Sequence, residues 1–285
     1  MCTIAILLEV VAGAPLVVAA NRDEFHARPT RPPERFAAVG DAAGTRIAGG
    51  VDVLSGGTWL AVRPDGRFAA VTNQRALVPP RAGLRSRGLA VLELAAAADP
   101  AAYAAAIDPT LYAGMNLVWG DARGASIAYA RQGGALEIER LAPGVHVLCN
   151  DRLGAPGFPR GDRLRAAIAA APRAWPEVVP AIQAALADHT RVGPRWIEQP
   201  RSAAKQGAAS ACDEGAPCGA PPPTHLPGDR ARELTATCIH AGGYGTRSST
   251  VFAARAGDAI AYLHADGPPC TTPFADLRGL LGGPS

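Results

Sequence analysis

Hydrophobic positions first arrive as a nearly unbroken run, MCTIAILLEVVAGAPLVVAA, at residues 1–20. Glu9 interrupts the run and Gly13-Ala14-Pro15 supplies a turn, so it lacks the roughly 20 uninterrupted apolar residues of a membrane helix. No Lys or Arg precedes it, as one would in a secretory signal. The pattern instead predicts a hairpin of two buried strands, residues 2–10 and 16–22, rich in Val, Ile and Leu. A second hairpin is expected where Arg63-Pro-Asp-Gly66 separates Gly57–Val62 from Arg67–Thr72, because Pro presets φ and Gly accepts a positive one. Ser86 is placed to cap a helix over Leu89–Ala98, and Asp99-Pro100 to start another turn running through Ile107. Residues 115–119, 126–130, 136–141 and 145–149 read as short strands between Gly-rich turns.

Apolar spacings of three and four then predict helices over Asp162–Ala171 and Trp175–His189. Residues 202–228 form a low-complexity Ala/Gly/Pro loop. Leu234–His240, Ser249–Ala254 and Ala259–His264 return to strand. Strands, a block of helices, and strands again, joined by hairpins, imply one α+β domain over residues 1–285, with antiparallel sheet and flanking helices. The order does not alternate as in a doubly wound parallel sheet, and no Gly-rich dinucleotide or phosphate loop occurs.

Composition narrows the function classes. The formal net charge is +3, far from the basic footprint of a nucleic-acid binder. Of 28 basic residues, 27 are arginine, and alanine fills 61 positions. That bias is a compositional habit of the chain, so arginine as a class carries little functional signal. Six cysteines in a chain of 285 residues do not form a disulfide framework. Cys212 and Cys218 lie close enough in sequence to bridge under oxidising conditions. Together with His225 they lack a fourth ligand at family spacing, and neither C-x-x-C nor H-E-x-x-H occurs, so no metal or other cofactor is expected. The expectation is a cytoplasmic protein that neither inserts stably in a membrane nor binds nucleic acid, and whose ligand is a small molecule; the oligomeric state is not legible.

Cys2 is the most informative position. If the initiator Met is removed, this residue bears both a thiol and an α-amine, whose ordinary pKa is about 7.7–8.0. Nucleophile and base are then one residue. The second strand ends in Asn21-Arg22-Asp23-Glu24, which the hairpin returns to the neighbourhood of Cys2. Asp23 is suited to hold the new ammonium, and Arg22 to depress the thiol pKa or anchor an anionic substrate. Neighbours on a strand face opposite ways, so both reach one cleft only through a bulge or twist. Asn73, followed by Gln74 and Arg75, and Asn150, after Cys149, place amides at strand ends, where they can donate to an oxyanion. Arg247, in the polar stretch Tyr244–Thr250, is a candidate anion clamp.

MCTI at the start, NRDE at 21–24, GGTWLAV at 56–62, VTNQR at 71–75, MNLVWGD at 115–121 and GTRSST at 245–250 resemble the NRDE family of transport-and-Golgi-organisation proteins, in order along nearly the whole chain. The resemblance implies an N-terminal nucleophile (Ntn) hydrolase-like fold, an αββα sandwich of two antiparallel sheets between helical layers. It also implies kinship to choloylglycine hydrolases and penicillin V acylases, which cut amides with a processed N-terminal cysteine. By that resemblance Cys2 is the nucleophile, Asp23 sits beside the α-amine, and Asn73 and Asn150 hold the oxyanion. Asn21, Arg22, Trp59, Arg75 and Arg247 would contact substrate. Acylases carry an arginine directly before their N-x-D, where this chain has Ala20 and places Arg22 inside the motif. The expected function is a cysteine Ntn amidohydrolase acting on a small acyl-amide or thioester. The alternative is a non-enzymatic carrier of haem or an acyl lipid, with His26, His146 and His264 as candidate haem ligands.

Overall fold

The computed structural model describes residues 2–36, 46–74, 81–131, 134–193 and 228–282. The first hairpin is present as β1 (Cys2–Leu8) and β2 (Leu16–Phe25). Both strands are apolar on alternate and intervening positions because both of their faces are covered, which explains the continuous run in the sequence. The second hairpin pairs β5 (Leu60–Val62) with β6 (Phe68–Asn73). Before it lie β3 (Thr30–Phe36) and β4 (Ile47–Asp52), two strands with no counterpart among the expected elements. Pro32 and Pro33 mask β3 in the sequence. They are tolerated because β3 is an edge strand whose register slips between Arg31 and Glu34.

Helix α1 (Arg87–Ala96) starts from Ser86, whose hydroxyl accepts from the Leu89 amide. Helix α2 (Pro100–Ala105) has Asp99 as its cap, accepting from the Ala101 and Ala102 amides. Strands β7 (Met115–Asp121), β8 (Gly124–Ala130), β9 (Leu136–Arg140) and β10 (Gly144–Leu148) follow as expected, with slightly shifted ends. The next helices are α3 (Pro159–Ala169) and α4 (Val179–Leu186). The second is much shorter than 175–189 because Pro176 and Pro180 confine its start, the latter lying in the first turn, and Asp188 turns the chain at its end by accepting from the Thr190 amide. The low-complexity loop at 202–228 lies outside the described residues, except Gly228, which opens the short helix α5 (Gly228–Glu233).

Leu234–His240 is not a strand. Its β-branched residues suggest one, but other partners hold its backbone: the Thr237 carbonyl accepts from Asn21, the Cys238 amide donates to the Asp188 carbonyl, and the Ile239 amide donates to Thr246. Strand β11 (Tyr244–Arg255) is longer than expected, since its polar first half pairs with the polar end of β2; β12 (Asp258–Ala265) and β13 (Ala275–Asp276) complete the sheet.

Every named strand pair is antiparallel, in two sheets ordered β10-β1-β2-β11-β12-β13 and β3-β4-β5-β6-β7-β8-β9. Strand periodicity sorts the core into layers. Ile4, Ile6, Val18 and Phe252 from one sheet meet Leu60, Phe68, Val118 and Ile127 from the other. The alternate residues Ala5, Leu7, Val17 and Val251 face Leu164 and Ile168 of α3 and Ile182 of α4. On the far side, Ala61, Ala69 and Leu117 pack under Val91 and Leu94 of α1 and Ala104 of α2. The result is the αββα sandwich that the family resemblance implies.

Candidate active site

Pairing of β1 with β2 sets Cys2 opposite Arg22 and Thr3 opposite Asn21. Cys2 and Arg22 share the face that looks between the sheets, in line with Ile4 and Ala20. At this end of the sandwich the interlayer space opens into a cavity of about 590 Å³, lined by Cys2, Arg22, Trp59 and Asn73 among others. Four of the residues singled out in the sequence therefore meet in one place, from β1, β2, the residue before β5 and the end of β6.

The wall of this cavity is strongly cationic. Arg28, Arg81, Arg85 and Arg87 join Arg22, against Glu24 and Asp52. The N-terminus of α1 also lines it, through Ser86, Arg87 and Gly88, and adds the positive end of a helix dipole. Arg22 is only 4% exposed. Its guanidinium stacks over the Trp59 ring at 4.2 Å and lies 3.4 Å from an Asp52 oxygen, which Arg28 also engages at 2.7 Å. Its Nη1 is buried with no hydrogen-bond partner among the described residues. An unsatisfied guanidinium N–H costs energy, and a turn of the side chain toward the cavity would let an anionic group satisfy it. Trp59 fits there because β4 has glycine opposite it: a Cβ on Gly50 would lie 2.1 Å from the indole ring.

Burial pushes the Cys2 thiol above its ordinary pKa, against the pull of Arg22. Burial likewise raises the Asp23 carboxyl, and Arg160 opposes it. The negative field of Asp23 reaches the thiol and disfavours its ionisation. Asp23 takes the opposite face of β2, as strand alternation requires, and accepts from the Thr246 hydroxyl at 2.7 Å. A bulge does occur here, but in the partner strand: β11 slips between Thr246 and Ser248. Arg247 is the extra residue, and the bulge turns it outward. Its guanidinium donates to the carbonyls of Phe25, His26 and Arg28. Arg247 thus braces the turn after β2 and is not a lining residue of the cavity.

Asn21 is also placed away from the cavity. It is fully buried, donates to the Leu186 and Thr237 carbonyls at 2.9 Å each, and accepts from Ser249. Its amide fastens β2 to α4 and the segment before β11. Asn150 stands next to Asn73, donating Nδ2–H to the Asn73 carbonyl at 2.8 Å and accepting from Arg160 Nη2 at 2.8 Å. One amide hydrogen of Asn150 remains for another acceptor. Arg75 lies outside the described residues.

Sequence reasoning missed Arg160, which projects from α3, is 2% exposed, and holds Asn150 and the Leu234 carbonyl while countering Asp23. One arginine among 27 gives no signal in the sequence. It also missed the clasp in which Gln74 donates to Asn116, and Asn116 donates to Thr72 and the Asp151 carbonyl, which pins the strand ends carrying Asn73 and Asn150. Two of the candidate haem ligands cannot share one iron: His146 is on β10 and His264 on β12, four strand spacings or about 19 Å apart.

Among solved structures, the chain resembles a mutant of conjugated bile acid hydrolase from Clostridium perfringens in which cysteine is replaced by alanine, with a TM-score of 0.49 at 10% identity, covering 100% of this chain and 95% of that one. A second variant of the same enzyme, with an arginine replaced by leucine, gives 0.46 at 13% identity over the same shares. An orthologue of N-acylethanolamine-hydrolyzing acid amidase from Caenorhabditis elegans gives 0.40 at 10% identity, covering 59% of this chain and 76% of that one. In sequence, the Transport and Golgi organization protein 2 homologue of Bos taurus is 33% identical over 152 residues, 50% of this chain and 52% of that protein. The human homologue is 32% identical over 154 residues, with the same coverage. The chain thus spans about half the length of the curated relatives it matches. The family model for transport and Golgi organisation 2 matches residues 1–264, and the chain belongs to that family.

Proposed function

We infer that the protein is a cysteine amidohydrolase of the Ntn type, acting on a small acyl-amide or thioester that carries an anionic group. The observation that supports this reading is the position of Cys2 at a cavity it shares with Asn73 and a buried Arg22 guanidinium whose Nη1 has no partner among the described residues. A thiol whose pKa is raised by burial needs a base beside it. The α-amine freed by removal of Met1 meets that need, and Asp23, behind the strand, would stabilise the ammonium that results. In the first step Cys2 Sγ bonds to the carbonyl carbon while its proton passes to the amine. Asn73, with the remaining N–H of Asn150, steadies the oxyanion. Collapse expels the amine or thiol leaving group with that proton, and water then releases the acyl group and restores the thiol.

Intact-mass measurement tests the first requirement, since retained Met1 removes the base and ends the mechanism. Turnover of an acyl-amide and thioester panel by the parent and by Cys2→Ala tests the second: equal rates would overturn the reading. Titration with haem distinguishes the carrier alternative, for which a Soret shift at stoichiometric haem, unaffected by Cys2→Ala, would be the sign.

A further inference from the structure

Away from this cavity, four metal-binding side chains converge from three separate parts of the chain. His189 follows α4, Cys238 and His240 lie in the segment between α5 and β11, and Cys270 lies in the turn between β12 and β13. Their ligand atoms all lie within 4.8 Å of one another. The spacings are informative. Cys238 Sγ is 3.7 Å from Cys270 Sγ and 3.7 Å from His240 Nε2, and His240 Nε2 is 3.4 Å from Cys270 Sγ. A tetrahedral zinc, with Zn–S about 2.3 Å and Zn–N about 2.0–2.1 Å, puts its ligand atoms roughly 3.3–3.8 Å apart. All three distances fall in that range.

We propose that His189, Cys238, His240 and Cys270 form a structural zinc site. Two thiolates and two imidazoles in a tetrahedral arrangement select zinc among the common divalent ions. All four positions are filled by protein, leaving no open one for a substrate or water, which marks a structural centre. The outer shell agrees. His189 Nδ1 lies 3.1 Å from the Cys238 carbonyl, so Nδ1–H donates there and Nε2 is left to ligate. Binding takes Zn²⁺ from solution, releases both thiol protons to the solvent, and leaves a neutral centre.

The site has a defined mechanical consequence. It ties the end of α4 and the β12–β13 turn to the 234–240 segment, which is neither helix nor strand and depends on side-chain partners. That segment supplies the Thr237 carbonyl to Asn21 and the Ile239 amide to Thr246, whose hydroxyl donates to Asp23. No sequence motif points to the site, because the ligands are separated by 49, 2 and 30 residues. The cysteines close in sequence, Cys212 and Cys218, stand out instead.

The test uses the full chain purified under reducing conditions, with metal content measured by mass spectrometry and cobalt(II) substituted for zinc. One zinc per chain is expected in the parent and in a Cys212→Ser/Cys218→Ser control, together with the visible d–d and thiolate charge-transfer bands of tetrahedral cobalt. Cys270→Ser, a change on an exposed turn, should lower cobalt affinity by at least about 100-fold, more than the 10–100-fold typical of losing an outer-shell partner. Chelation should also lower the melting temperature of the parent but not of Cys270→Ser. The proposal is overturned if the reduced parent supplied with zinc carries none, if Cys270→Ser binds cobalt as tightly as the parent, or if Cys238 and Cys270 are recovered as a disulfide in the metal-supplied protein.

Discussion

At the scale of single residues, the site is organised by which face of β2 each side chain takes. Arg22 looks into the cavity with Cys2, while Asn21 and Asp23 look toward α3 and α4, so the NRDE tetrad is split between the cavity wall and the scaffold behind it. Arg22→Met removes the unpaired donor. Because a hydrogen bond to a charged group is worth about 1.5–3 kcal/mol, the KM for an anionic substrate should rise roughly 10–100-fold, with little change for a neutral analogue. Steady-state kinetics on matched substrates checks this. Asn21→Ala should instead be read in stability, since both ends of that amide are held by the scaffold. Arg160→Met strips Asn150 and the Leu234 carbonyl of their donor in a buried place and should cost about 2–4 kcal/mol, measured by denaturant unfolding.

Among the elements, close approach and burial decide the outcome. On β4, Gly50→Ala drives a methyl into the Trp59 ring. The indole must leave its place under Arg22, and destabilisation of about 1–3 kcal/mol is expected together with a shift in tryptophan fluorescence. On β12, His264 is buried against the Thr250 hydroxyl at 2.9 Å, and burial lowers its pKa from 6.5 to about 4. The native state therefore keeps the ring neutral while the unfolded chain accepts a proton below pH 6.5. Stability is intact above that pH and falls as pH drops toward 4, by up to about 3 kcal/mol. His264→Leu should flatten that part of the stability profile, read as melting temperature against pH. The elements also show where a sequence pattern is ambiguous. Leu234–His240 has the residue types of a strand, yet asparagine, threonine and aspartate partners hold its backbone. The proline pair of β3 looks unlike a strand and is tolerated because an edge strand can leave some N–H positions unused.

For the whole molecule, three apolar layers fix the architecture, and one of them runs between the sheets. Phe252→Ala, at the centre of that layer, should cost about 3–5 kcal/mol and be visible as an early unfolding midpoint without a change in m-value. No helix among the described residues is long and apolar enough to cross a membrane. The hairpins and helix starts are legible in the sequence because turn chemistry and helix caps are local signals, each carried by adjacent residues such as Pro64-Asp65-Gly66 or Ser86; the stacking of two sheets is implied only by the family resemblance. Cys2 and the NRDE tetrad are legible together for the same reason, since a tight hairpin makes sequence neighbours into register partners. Long-range convergence is not. That Arg28, Arg81, Arg85 and Arg87 line one cavity with Arg22, that Arg160 reaches Asn150, and that two histidines and two cysteines meet beyond α4 are facts of layer packing. Packing brings together residues whose separation along the chain carries no periodic trace, so the sequence determined the hairpins, the helix caps and the pairing of Cys2 with Arg22, and only the tertiary structure decided what surrounds them.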